Sequence, residues 1–267
     1  MPLARWSHAE LARALVGLGM VVTIAASTIG RWLKAERIKP WRFHHWQHVR
    51  DAHFVERASA VLALYEQAVA LLAAGVWVIC VDEKTSLQAR QGIDPPVPAK
   101  PGQPIHLAAR YIRRGALQLF AYLSVADGQV AGCCRQRKCF VDFQAFILEV
   151  VVPEASRRGV QEMRLILDHG PTHAPQQLEG WLAEQAQMQA WPFRVEVVWL
   201  PKYASWLDQI EIWFSILQRK ALTPNHFPDL SALRQRILAF MVHYNHSAQP
   251  IRWSYTVDQL VRKFATD

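Results

Sequence analysis

The stretch Val76-Trp77-Val78-Ile79-Cys80-Val81 is apolar at every position, and Asp82, Glu83 and Lys84 follow it at once. A strand with one wet face alternates apolar and polar residues, so an unbroken apolar run requires cover on both sides. The chain is thereby committed to a central strand inside a layered α/β domain. MRLIL (163–167) repeats the pattern and again ends in an aspartate, Asp168. A buried, unpaired carboxylate is expensive, and one at the C-terminal end of a parallel strand usually faces the crevice where a sheet does its work. The alternative is that each aspartate caps the loop or helix that follows.

The remaining periodicity completes the domain. A helix is expected over 56–74, with Ala58, Leu62, Tyr65, Val69 and Leu72 on one side. The Pro/Gly-rich segment 91–103 reads as a loop, followed by strands at 106–112, 116–125 and, after the Asp127-Gly128 turn, 130–134. A helix over 140–152, the strand ending at Asp168, a helix over 174–189 and a strand over 193–200 come next. Helices at 206–222 and 230–245 close the chain. Three leading strands, then alternating strand and helix, predict an α/β domain with a mixed sheet over 55–267.

Residues 1–54 differ in character. The net charge is +8, from 30 basic and 22 acidic residues. Eight of the basic residues, with only Glu10 and Glu36 against them, fall within the first 50 positions. Ser7 and Glu10 form a capping-box pattern, Leu11, Leu15 and Leu18 follow at helical spacing, and Gly17 and Gly19 end the helix. A second helix over 28–38, capped from Ala26-Ser27-Thr28, is expected to bury Ile29, Trp32 and Leu33 and to turn Arg31, Lys34 and Arg37 outward. This is the pattern of a helix-turn-helix, with Arg31, Lys34, Arg37, Lys39 and Arg42 available to a polyanion; an ordinary helical hairpin with a solvated basic face has the same pattern. The uncharged run 14–30 is short for a membrane span and rich in Gly, Ser and Thr, so no membrane association is expected. Four cysteines without C-x-x-C spacing read as reduced thiols of a cytoplasmic protein.

The third chemical element is PKYASWLDQIEIWF (201–214). Ser205 is a candidate helix cap, and Glu211 lies one turn after Leu207 and one turn before Phe214, on an apolar face. Two strand-end aspartates and a helical glutamate suit Mg²⁺, a hard cation that takes a few carboxylate oxygens and keeps room for water and phosphate. Two such ions, about 3.5–4 Å apart, activate the attacking oxygen and stabilise the leaving one in phosphoryl transfer. Other metal and nucleophile patterns fail. His44, His45, His48 and His53 lack zinc-finger spacing and Cys partners, Gly170-Pro171 interrupts any helix between His169 and His173, and neither Ser86 nor Ser205 has a G-x-S-x-G setting.

VDEKTSLQAR, LDHGPTH and PKYASWLDQIEIWF together resemble the three catalytic blocks of bacterial insertion-sequence transposases in the mariner-like branch of the DDE superfamily. YIRRGALQLFAYLSVADGQVAG and WLKAERIKPWRFHHW extend the likeness to most of the chain, from about Trp6 to Asn245. The resemblance implies an RNase H-like mixed sheet flanked by helices, preceded by a small all-α helix-turn-helix region. It places the catalytic and metal-holding triad on Asp82, Asp168 and Glu211, with His173 as an auxiliary group positioning water or a phosphate oxygen. It implies Mg²⁺, with Mn²⁺ as substitute and two ions in the site. The substrates it implies are double-stranded element ends and target DNA at a TA dinucleotide, handled by a homodimer or larger assembly. Three features depart from the family's pattern. His169 and Asp208 stand where Asn is usual, and Asp208 either supplies a further ligand or distorts the site. A preceding helix-turn-helix is missing, as in a shortened copy or one half of a split frame. These departures keep open a degenerate or domesticated transposase that binds DNA without cutting it.

Overall fold

The computed structural model describes residues 6–39, 51 and 53–264. Chain contacts divide it into two units, Met1–Val49 and Arg50–Asp267. Arg42, His44, His45 and His48 lie outside the described residues.

In the first unit, α1 (His8–Gly17) starts from the expected capping box. Ser7 Oγ accepts from Glu10 N at 3.2 Å, and Glu10 accepts from Ser7 N at 2.7 Å. The second helix, α2 (Ala26–Ala35), packs on α1 where Gly30 leaves the His8 ring room; a Cβ there would lie 3.0 Å from it. Three expectations change here. The cap is Ala25, without a side-chain bond, while Thr28 Oγ1 accepts from the Arg31 guanidinium at 3.1 Å. Trp32 is 52% exposed, leaving Ile29 as the buried residue of α2. The helix ends at Ala35, so Arg37 sits in the following turn with φ 55° and does not continue the face of Arg31 and Lys34. Arg31, Lys34, Arg37 and Lys39 are all exposed. Residues 18–25 separate the helices, a longer connection than the three- or four-residue turn of a compact helix-turn-helix.

The second unit is built on a five-stranded sheet of order β3-β2-β1-β4-β5. Its strands are β1 (Val76–Gly92), β2 (Tyr111–Ser124), β3 (Val130–Arg135), β4 (Glu162–Leu167) and β5 (Arg194–Trp199). β1, β2 and β3 are antiparallel neighbours, and β4 and β5 run parallel to β1. This is the mixed sheet expected of an RNase H-like domain. The expected strand at 106–112 is absent: His106 makes only an isolated bridge to Val97, and β2 begins at Tyr111. The short β-branched and aromatic content there did not outweigh the prolines around it.

The apolar run of β1 is covered on both sides. Val78 and Cys80 face α3 (Phe54–Ala73), α7 (Gln209–Lys220) and α8 (Leu230–Asn245), with Leu260 of α9 (Val257–Phe264) in the same cluster. Trp77, Ile79 and Val81 face α4 (Phe140–Phe146), α5 (Val152–Arg158) and α6 (Leu178–Met188). Within α3, Val69 is 64% exposed and does not join the buried stripe. A π-turn at Ile147–Val151 joins α4 to α5, because Pro153 has no N–H to give the preceding turn. Among the described residues no helix is long and apolar enough to cross a membrane, and the four cysteines are free.

The far edge is closed by α8. Asn245 accepts from Val130 N at 3.0 Å and donates to Val130 O at 2.7 Å, in place of a further strand. Next to it Gly128 turns with φ 72°, and a Cβ there would lie 2.1 Å from the Gln249 carbonyl oxygen. Gly128→Ala is therefore expected to destabilise the domain by at least about 2 kcal/mol, read by chemical denaturation.

Candidate active site

The bonded register of β1 and β4 ends at Cys80↔Ile166. Two residues further along each strand stand Asp82 and Asp168, on the face shared by Cys80 and Ile166 and covered by α7. Asp82 is 9% exposed, and its Oδ1 accepts from Glu83 N at 2.7 Å. The Asp168 carboxylate is folded back on its own loop. Its Oδ1 accepts from Gly170 N at 2.8 Å and meets His173 Nδ1 at 2.8 Å. Gly170 makes this fold possible, since a Cβ on it would lie 2.8 Å from that oxygen.

The third block contributes differently from the sequence expectation. Ser205 falls in a 3₁₀ turn, and the N-cap of α7 is Asp208, whose Oδ1 accepts from Ile210 N at 3.2 Å. Asp208 is 2% exposed and its Oδ2 has no hydrogen-bond partner, whereas Glu211, in the first turn of α7, is exposed. Leu207, Ile210, Trp213, Phe214 and Leu217 form the buried stripe, which Glu211 flanks.

The carboxylates repel one another. Burial, followed by the charges of Asp208, Glu83 and Asp168, pushes Asp82 well above the usual carboxylate range. Burial raises Asp208 to about 7, helped by the charges of Glu211 and Asp168 against the bond from Ile210 N. Asp168 goes the other way: burial would raise it, but the His173 hydrogen bond and charge and the Gly170 N–H bring it below its ordinary value. Asp82, raised by burial and neighbouring carboxylates, and Asp208, whose buried Oδ2 has no hydrogen-bond partner, are acids of a kind that suits a hard divalent cation.

The His173 side chain is fully buried, with Nδ1 turned to Asp168; Nε2 lies 3.4 Å from Glu83 Oε2 and has no hydrogen-bond partner. Burial opposes its charge, yet the Asp168 bond and the charges of Glu83 and Asp168 hold its pKa above the ordinary histidine value. Asp82, Glu83 and His173 bring ligand atoms within 4.8 Å of one another. His169 packs flat on Trp199, with ring centroids 5.1 Å apart.

Two groups were missed in the sequence. Glu83 points to the opposite face from Asp82, and only the alternation of β1 foreshadows it. Lys84 returns to the Asp82 face and lines a cleft of about 220 Å³ with Ser86, Gln88, Arg90, Gln218 and Asn225. Nothing local in the sequence joins β1 to residues 218 and 225.

The raised pKa of Asp208 has a stability consequence. The folded state keeps a proton that the unfolded state releases above its ordinary pKa of 3.8. The contribution of Asp208 to the stability of the metal-free protein therefore falls as pH rises from about 4 to about 7. Asp208→Asn is expected to remove much of that slope and to stabilise the metal-free protein at pH 8, as thermal unfolding across this range will show.

The comparisons agree with this architecture. Residues 77–234, more than half of the chain, match the family model described as DDE superfamily endonuclease. No curated protein matches in sequence. Among solved structures, the fold is similar to the Mos1 mariner paired-end complex with Mn, with a TM-score of 0.57 at 12% identity, covering 98% of this chain and 73% of that one. It is similar also to a pre-cleavage Mos1 transpososome (TM-score 0.54, 15% identity, covering 99% and 80%) and to the Mos1 transposase paired-end complex with the left transposon end (0.53, 15%, 97% and 80%). The chain belongs to the DDE superfamily endonucleases.

Proposed function

We propose that the protein is a DNA transposase that cuts and joins the ends of an insertion sequence with the help of divalent cations. The observation that carries this reading is the meeting of Asp82, Asp168 and Asp208 at one sheet opening, in a chain of the DDE endonuclease family. Likeness of fold to transposase complexes holding transposon ends supports DNA as the partner.

Asp82 and Asp168 would hold Mg²⁺ or Mn²⁺, in a two-ion site, with α7 adding Glu211 and the buried Asp208. When bound, such ions supply positive charge to the phosphate and acidify the attacking oxygen. The chain's own groups do the rest. Asp168 is kept ionised and fixed by Gly170 and His173. Lys84 and Arg90 give the adjoining cleft the charge to follow a phosphate backbone. In the first reaction water attacks the phosphodiester at the element end, forming a new P–O bond and releasing a 3′-hydroxyl. In the second that hydroxyl attacks a target phosphate and displaces the target's 3′-oxygen. Two double-stranded partners at one centre accord with a homodimer or larger assembly on DNA, and residues 1–54 serve as the DNA-binding region, with 55–267 as the catalytic domain.

The assay is nicking and joining of labelled DNA carrying the inverted repeats that flank the gene, in Mg²⁺ or Mn²⁺. Asp82→Asn, Asp168→Asn and Glu211→Gln are each expected to lower nicking by at least about 10²-fold without unfolding the domain. Wild-type rates in Asp82→Asn would sink the assignment.

Arg31→Ala/Lys34→Ala, both on the exposed face of α2, tests the DNA-binding region separately. Affinity is expected to fall and its dependence on salt to flatten, because fewer counterions are released. Unchanged affinity and slope would make this charge a solvated face only.

A further inference from the structure

We infer that Tyr203 is a binding residue whose ring stacks on the terminal base of a DNA end brought to the carboxylates. The inference rests on the DNA-cutting reading above and adds a contact outside the acidic groups.

The chain between β5 and α7 runs beside Asp168. Leu200 N donates to Leu167 O at 2.8 Å, one residue before Asp168, and the same segment delivers Asp208 to the start of α7. Within it Ala204 N donates to Pro201 O at 3.2 Å, closing a turn with Lys202 and Tyr203 at its corners. Tyr203 has φ 63°. That corner favours glycine or asparagine, because a Cβ crowds the backbone there, and a bulky residue in it is an outlier. The other non-glycine residues at positive φ among those described, Arg37, Ser86, Ala174 and Ala190, carry no aromatic ring.

The turn is held from outside, so the strain has no easy release. Asp51, 9% exposed, accepts from Lys202 N at 3.1 Å and from the Arg57 guanidinium at 2.9 Å through Oδ2, and from His53 N at 3.0 Å through Oδ1. Pro201, Ala204 and Leu207 are buried, whereas Lys202, Tyr203, Ser205 and Trp206 face outward. Tyr203 is 75% exposed, so burial of its ring does little to offset the strain of its backbone. Strain without compensating packing points to a use outside the fold.

The outward side names the partner. A cation adjoins one ring, and a second ring, Trp206, is 39% exposed three residues on. Proteins hold nucleic-acid strands in this way, with bases on ring faces and phosphates on cations. A cut at the element end creates a duplex terminus, whose last base offers one face without being unpaired. The fixed backbone of Tyr203 leaves little freedom to lose when a base stacks on it.

The test uses the full-length protein and a duplex that ends at the cut of an inverted repeat flanking the gene, with 2-aminopurine as its last base. Mg²⁺ is present and no target DNA is added, so no joining follows. Wild type is expected to quench the terminal base on binding. Tyr203→Gly, which relieves the strain, should unfold at the wild-type temperature or about 2 °C higher. It should nevertheless lose the quenching and bind this end about 10-fold more weakly. Tyr203→Phe keeps the ring and should restore both. Wild-type quenching or wild-type affinity in Tyr203→Gly overturns the inference, and so does a lowered unfolding temperature, which would show the ring holding the fold. Failure of Tyr203→Phe to restore quenching would also overturn it. If wild type does not bind this end at all, the proposed function fails and the inference with it. If Asp82→Asn nicks like wild type, only the metal site fails, and the quenching still judges Tyr203.

Discussion

The site exists because β1 and β4 stop sharing hydrogen bonds while β1 is still in the middle of the sheet. Their register runs from Val76↔Glu162 to Cys80↔Ile166, whereas β1 stays paired to β2 as far as Gly92. Just beyond Cys80 one side of β1 is therefore open, until Asn225 and Phe227 bond to the backbone of Gln88 and Arg90. Asp82 and Asp168 stand on one face of that opening and Glu83 on the other. Strand alternation, and no special loop, distributes the acids in this way.

Electrostatics then makes the two strand-end aspartates unequal. Asp168 has a histidine and a backbone N–H, and its charge is stabilised in the folded protein. Asp82 has a backbone N–H but two or more carboxylates about it, so burial and repulsion act together. A protein selected for stability alone would replace one of these acids, since an uncompensated buried charge costs several kcal/mol. Keeping all of them is what the cation site of the proposed function would require. The same imbalance makes the metal-free domain sensitive to pH around Asp208.

The parts of this design readable in the sequence were those written in a single segment. The apolar run of β1, the repeat of its pattern at 163–168 and the capping box at Ser7–Glu10 are local, and the structure has all three. Features set by tertiary packing were not readable. Trp32 carries the helical spacing of a buried residue, yet it is 52% exposed among the described residues. Of the strand expected at 106–112, only Tyr111 and Ile112 pair with β1, as the start of β2. Nothing in the sequence singled out Glu83, because Thr172 and His173 beside it come from positions 89 and 90 residues away. Ser205 was a reasonable cap by residue type, yet Asp208 sits where the chain enters α7 and competes for the same role more effectively.

Asp208, where the resemblance to insertion-sequence transposases leads one to expect Asn, is compatible with that capping role. A protonated aspartic acid has nearly the shape of asparagine, and its carbonyl oxygen can accept from Ile210 N as an amide oxygen does. Raised to about 7, Asp208 spends part of its time in that form at neutral pH, so the substitution costs the metal-free fold less than a permanently charged group would. Its second oxygen, buried and without a partner, differs from an amide when the proton leaves. It then adds a negative charge directly beside Asp82, at the N-terminus of α7, where the helix dipole favours an anion. Asn can cap this helix but cannot change charge there. Asp208 can do both, and under the proposed function that would give the site a carboxylate whose ionisation responds to a bound cation.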